Sequence, residues 1–177
     1  MCGVVGYWNK NGKEADESVL KKMAQRLTHR GPDDSGTFQR GSLGLGHTRL
    51  TILDLSQNGH QPFVTNDGKA ALSYNGEIYN FRELRHELKK EGVTFKSTTD
   101  TEVLLYALYH WGPEKAVPKL DGMFAFAYFD FRDDSLWLVR DRAGIKSLYW
   151  VENGPLTLFV SEMKAILDHS DFACRPD

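Results

Sequence analysis

The chain has 177 residues, of which 41% are hydrophobic and 26% charged, with a formal net charge of −2. A chain of this length buries a layered core of ordinary domain size, and its charge offers no basic excess to hold nucleic acid or an anionic membrane. No apolar stretch has the length of a membrane span and the N-terminus lacks a signal-peptide pattern. The two cysteines, Cys2 and Cys174, are not spaced as metal ligands, which predicts free thiols in a reducing, cytoplasmic setting.

Along the chain, CGVVGYW reads as a first strand and NKNG as a turn. From Glu17 to His29 the spacing becomes helical, with Leu20, Met23, Ala24 and Leu27 on one stripe. RGPDDSG ends that helix, because Gly31 and Pro32 do not continue it, and a polar loop follows. LGLGHTRLTILDL predicts two short strands separated near His47. KAALSYNGEIYNF predicts a strand running into a turn at Asn75-Gly76.

Asn80 has the position of a helix cap, with Glu83 as its reciprocal partner, Phe81, Leu84 and Leu88 as the buried stripe, and Gly92 as a left-handed stop. A second capped helix begins at STTDTE, where Thr99 and Glu102 have capping-box spacing, and ends at Gly112-Pro113. MFAFAYFDF is apolar on both faces, as in a strand between a second sheet and a helical layer, and RDDS turns it into SLWLVRDR. Strands near Leu148–Val151 and Leu158–Val160 and a short helix through Met163–Leu167 complete the order. The pattern predicts an α+β fold of four layers, helices outside and two sheets face to face inside.

Several residues carry potential chemistry. Cys2 is either a small buried strand residue or a nucleophile that becomes residue one when Met1 is removed. In the second case its α-amine, with an ordinary pKa of about 7.7–8.0, supplies the base that activates its own thiol. Asn75, Gly76 and Glu77 could offer a side-chain amide and an unobstructed N–H to a developing oxyanion, although Asn-Gly alone signals a hairpin turn. Arg49 suits an α-carboxylate and Asp100 an α-ammonium, and each also has a structural reading, as a solvated strand residue and as a first-turn acid. The glycines of GSLGLG lack dinucleotide-binding spacing, and the six histidines lack metal-ligand spacing. A cysteine–histidine pair using His47 is a rival arrangement.

The order of MCGVVGY, HRGPDDSG, GHTRLTILDL, YNGEIYNFRELR, STTDTEVLL, LDGMFAFAYFD, RDRAGIKSLYW and SEMKAIL resembles the glutaminase domain of asparagine synthetases, from Cys2 to about Leu167. That resemblance implies a class II glutamine amidotransferase domain over residues 1–177, with the αββα sandwich of N-terminal nucleophile hydrolases and two mainly antiparallel sheets. It implies Cys2 as nucleophile and Asn75 and Gly76 as oxyanion hole. Glutamine would be held by Arg49, Leu50, Thr51, Ile52, Leu53, Asn75, Gly76, Glu77 and Asp100. It further implies L-glutamine as substrate, no cofactor or metal in this domain, and ATP and Mg only in a synthetase domain of the full-length chain, which is not in this sequence. A homodimer is compatible with it, and nucleic acid and membrane are not expected partners. The acceptor of ammonia is aspartate or another substrate of a divergent relative, and an idle glutamine-binding module is the non-catalytic alternative. The family usually has an aromatic residue at Ala143 and proline at Ser147, neither of them a glutamine contact.

Overall fold

The computed structural model describes residues 1–51 and 59–172. The strands are β1 (Gly3–Asn9), β2 (Asp34–Arg40), β3 (Leu43–Arg49), β4 (Phe63–Val64), β5 (Ala70–Ile78), β6 (Gly122–Asp130), β7 (Ser135–Arg140), β8 (Tyr149–Asn153) and β9 (Leu156–Val160). The α-helices are α1 (Glu17–Gln25), α2 (Phe81–Lys90), α3 (Asp100–Trp111) and the single turn α4 (Pro113–Ala116), with 3₁₀ turns at Val117–Lys119 and Met163–Asp168. One sheet has the order β2-β3-β1-β9-β8 and the other β4-β5-β6-β7. Every ladder within them is antiparallel.

Three apolar clusters separate four layers. Val5, Leu158 and Val160 of the first sheet pack on Leu20, Met23 and Leu27 of α1 and its exit turn. Val4, Leu45, Ala71, Ala127 and Phe129 fill the space between the sheets. Leu72, Tyr74, Phe126 and Tyr128 pack on Leu84, Leu88, Leu104 and Leu108 of α2 and α3. The strand period of two therefore sends alternate residues to opposite layers: Val4 inward and Val5 toward α1, Ala71 inward and Leu72 toward α2 and α3. Strand β6 is buried from Phe124 to Asp130, as a strand covered on both faces must be.

Four local expectations differ from the structure. The polar segment after α1 holds β2, an edge strand whose residues are mostly half-buried or exposed and so lack an apolar signature. β3 runs unbroken through His47, whose buried ring reaches Tyr74 O at 2.9 Å instead of marking a break. Asn75-Gly76 is no turn: Asn75 pairs with Ala125 and Gly76 with Phe124 in the middle of a ladder. Asn80 does not cap α2 with its side chain, which instead donates to Lys119 O and accepts from Asp121 N. Thr99 does cap α3 through Glu102 N, while the Glu102 carboxylate turns to the N–H groups of Lys96 and Ser97. Gly92 takes φ +89° at the end of α2.

Candidate active site

Cys2 precedes β1, and one register step beyond the pair Gly3–Thr48 it lies opposite Arg49, the last residue of β3. Alternation directs Cys2 to the same side as Val4, and Arg49 to the same side as Leu45, which is the space between the sheets. From the facing sheet, Ser73 donates to Gly46 O at 3.0 Å, so the odd residues of β5, including Asn75 and Glu77, look toward the first sheet. One end of the inter-sheet space opens there as a cleft lined by Cys2, Arg49, Leu50, Asn75, Gly76, Glu77 and Asp100. Met1, Gly59, Gln61, Tyr74, Thr99, Thr101, Met123 and Lys146 complete the lining.

The Cys2 sulfur accepts from Leu50 N at 3.4 Å and its thiol donates to Leu50 O at 3.7 Å. Burial pushes the thiol above its ordinary pKa, against the opposing pull of the Leu50 N–H, the terminal amine, Arg49 and Lys146. Its carbonyl accepts from Arg30 Nε at 2.9 Å. Arg49 is buried, and a Cβ built on Gly59 would come within 2.0 Å of Arg49 Nη2, so only glycine leaves room for the guanidinium at that position.

Asn75 Nδ2 is buried with no hydrogen-bond partner among the described residues. Such a donor costs stability unless something fills it, so its presence in a cleft marks a place for an acceptor. Gly76 adds a second donor. Tyr74 and Ile78 send their N–H groups away from β6, to Gln61 Oε1 at 2.8 Å and Asp100 Oδ2 at 3.0 Å. The alternation of an antiparallel ladder gives the Gly76 N–H, midway between them, the same direction. Glycine is required there by close approach, since a Cβ would lie 2.4 Å from Met123 O and 2.7 Å from Phe124 Cα.

Asp100 opens α3 with its carboxylate fixed: Oδ2 accepts from Tyr74 Oη at 2.7 Å and from Ile78 N. Burial raises its pKa, partly offset by these hydrogen bonds. Asp100 lines the cleft with one oxygen already committed. Thr51 is not among the lining residues; its N–H goes to Asp33 Oδ2 at 2.8 Å. Ile52, Leu53 and Cys174 lie outside the described residues. His47 is not among the lining residues, and burial lowers its pKa to about 4, so the ring is neutral and donates from Nε2 to Tyr74 O. Sequence reasoning passed over Gly59, Gln61, Tyr74, Met123 and Lys146. Their signals were a glycine beside a loop, a strand tyrosine and the RDRAGIKSLYW segment, all of which admit ordinary structural readings. No group of three or more His, Cys, Asp or Glu side chains that could hold a metal ion occurs among the described residues.

Two antiparallel sheets between helical layers, with a near-terminal cysteine in a cleft at the sheets' shared end, define the amidotransferase type of N-terminal nucleophile fold. A solved structure titled glutamine phosphoribosylpyrophosphate amidotransferase from B. subtilis has this fold, with a TM-score of 0.76 over 93% of this chain and 43% of that one at 22% identity. The family described as "Glutamine amidotransferase domain" matches residues 1–177, and the chain belongs to it. Among curated relatives, "Asparagine synthetase [glutamine-hydrolyzing] 1" of Bacillus subtilis is 44% identical over 170 residues, 94% of this chain and 27% of the relative. "Asparagine synthetase [glutamine-hydrolyzing] 3" of Arabidopsis thaliana is 40% identical over 180 residues, 99% of this chain and 30% of the relative. The chain therefore spans less than a third of the length of these two relatives.

Proposed function

We propose that this domain hydrolyses the side-chain amide of L-glutamine to glutamate and ammonia through a thioester on Cys2. In the full-length protein a synthetase domain, with ATP and Mg in that domain alone, uses the ammonia to make asparagine from aspartate in the cytoplasm. The observation that carries the hydrolytic reading is the meeting in one cleft of the Cys2 sulfur and the orphaned Asn75 Nδ2. No helix of the described residues is long and apolar enough to cross a membrane.

With Met1 attached the Cys2 nitrogen is a peptide amide and holds no basic lone pair; removal of Met1 creates an α-amine. That amine takes the thiol proton, and the sulfur attacks the amide carbon. The carbonyl electron pair moves onto oxygen, where Asn75 Nδ2 and the Gly76 N–H stabilise the charge. The amine returns its proton to the departing nitrogen, the C–N bond breaks, and ammonia leaves a γ-glutamyl thioester. Water then adds to that thioester, the C–S bond breaks, and glutamate and the free thiol are restored. Arg49 holds the substrate α-carboxylate, and Glu77 with the remaining oxygen of Asp100 holds the α-ammonium. The cleft accordingly favours a zwitterionic amino acid with its amide directed at Cys2.

The test is ammonia release from glutamine by protein whose sequence starts at Cys2, compared with Cys2→Ala and with protein retaining Met1. The reading expects turnover in the first alone. Equal turnover with Met1 attached would remove the terminal amine from the mechanism.

A further inference from the structure

Among the described cleft residues, Lys146 carries a charge that none of these steps uses. Lys146 is 8% exposed, whereas its neighbour Ile145 is 60% exposed. The loop between β7 and β8 thus turns an apolar residue to solvent and a lysine inward, the reverse of what solvation alone favours. The lysine ammonium has no ion pair or hydrogen bond to a described residue.

The inward placement is built by Asp141. Its backbone N–H donates to Phe124 O at 2.8 Å, and its carboxylate accepts from the N–H groups of Phe124 (3.3 Å), Ile145 (3.0 Å) and Lys146 (3.0 Å). The loop is thereby pinned to the start of β6, beside the cleft residue Met123. A carboxylate that gathers three backbone donors fixes the direction in which the residue after Ile145 leaves the main chain.

The charged groups lining the cleft around Cys2 are its own α-amine once Met1 is removed, Arg49 from β3, Glu77 from β5, Asp100 from α3 and Lys146 from this loop, with the phenol of Tyr74 bonded to Asp100. Without Lys146 the two acids outnumber the single arginine, and a thiolate among them is disfavoured. Bound glutamine leaves that balance as it was, because its carboxylate meets Arg49 while its ammonium meets Glu77 and Asp100. Lys146 is a cation of the cleft that neither the substrate nor a described residue engages, in a site whose burial otherwise favours the neutral thiol.

We propose that Lys146 is a further functional residue of this site, whose ammonium holds the Cys2 sulfur in its anionic, attacking form. The inference rests on Cys2 being the nucleophile described above. Lys146 acts on the sulfur through space, forms no bond to substrate, and is a positioning residue in the electrostatic sense.

Protein starting at Cys2, verified by mass, is prepared as wild type, Lys146→Met, Lys146→Gln and Lys146→Arg. Alkylation of Cys2 by iodoacetamide is followed across pH by peptide mass spectrometry, which separates it from Cys174, alongside ammonia release. In Lys146→Met and Lys146→Gln the alkylation midpoint rises by about one pH unit, the lower end of what a nearby charge does to a buried group. At neutral pH the rate falls by about three-fold, since a more basic thiolate is also a better nucleophile and offsets part of the loss. The acid limb of ammonia release moves up with the midpoint, the KM for glutamine stays within about two-fold, and Lys146→Arg restores the wild-type profile. A structural lysine would change stability and leave the midpoint in place. An unchanged midpoint in the neutral variants that fold, or an equal shift in Lys146→Arg, overturns the proposal. Wild-type protein that alkylates normally and releases no ammonia defeats the glutaminase reading, while the alkylation series still decides the role of Lys146.

Discussion

Arg30 donates from Nε to the carbonyl oxygen of Cys2 and from Nη1 to Glu162 Oε1, both at 2.9 Å. The residue that carries the sulfur is therefore tied by its backbone to the loop after α1, and that loop is braced by the segment after β9. Glu162 also takes His29 Nε2 at 2.9 Å and Lys164 Nζ at 3.0 Å. Burial opposes its ionisation, and the three basic partners outweigh it, leaving the carboxyl lowered to about 2. A chain terminus frays unless something holds it, and removal of Met1 makes Cys2 that terminus. Arg30→Met is expected to lower kcat for glutamine hydrolysis by roughly ten- to a hundred-fold, the cost of a slightly misplaced nucleophile, with a smaller change in KM. Steady-state kinetics on protein starting at Cys2 checks this, and a loss confined to KM would contradict it.

Asn75→Ala removes one of the two donors assigned to the oxyanion. Loss of one such donor costs about 2.7–4 kcal/mol of barrier lowering, so kcat should fall by about 10²–10³ with little change in KM. Because Asn75 Nδ2 has no partner among the described residues, the substitution breaks no hydrogen bond of that nitrogen in the free domain. Its thermal stability should hold or rise, and a large fall in melting temperature would show that the side chain is structural.

Gly59→Ala tests the substrate clamp without touching a charge. The added methyl would lie 2.0 Å from Arg49 Nη2, so the guanidinium must move. A displaced fork loses its parallel bonds to a carboxylate, and the KM for glutamine should rise by about ten-fold or more. An unchanged KM would separate Arg49 from the α-carboxylate.

Much of the layering was legible in the amino-acid pattern, because helix and strand periods leave separate marks. The stripe Leu20, Met23, Leu27 and the two-faced MFAFAYFDF point to their layers unaided. Strand β2 left little mark, since an edge strand with few buried residues resembles a loop. Asn75-Gly76 misled for a different reason. The dipeptide favours turns locally, but here β6 pairs with it and its glycine is selected by contact with Met123 and Phe124, a long-range cause that no window of sequence contains. The cleft residues found by motif were Cys2, Arg49, Leu50, Asn75, Gly76, Glu77 and Asp100, carried by the order of short segments along the chain. Tyr74, Gln61 and Lys146 acquire meaning only from partners 13 to 26 residues away, or from the absence of one.

His47 gives the fold a titration of its own. Burial lowers its pKa to about 4, while an unfolded histidine titrates near 6.5, so between those values the unfolded chain binds more protons. Its contribution is fully present above about pH 6.5 and is lost as the pH falls through about 4. At about 1.4 kcal/mol per unit the loss is roughly 3 kcal/mol. His47→Gln, which keeps a donor for Tyr74 O, should flatten the dependence of stability on pH across that window in denaturant titrations. Glutaminase activity should survive the same substitution, since His47 does not line the cleft. A variant that folds but releases no ammonia would revive a histidine-assisted mechanism.

The proposed hydrolysis depends on acylation of Cys2, once terminal, by glutamine. The direct measurement is peptide mapping by mass spectrometry after treating protein that starts at Cys2 with an electrophilic glutamine analogue, with excess glutamine as competitor. One adduct per chain is expected on Cys2, suppressed by glutamine and lost when the sample retains Met1. Labelling elsewhere, or labelling of Cys2 that glutamine does not suppress, would contradict it.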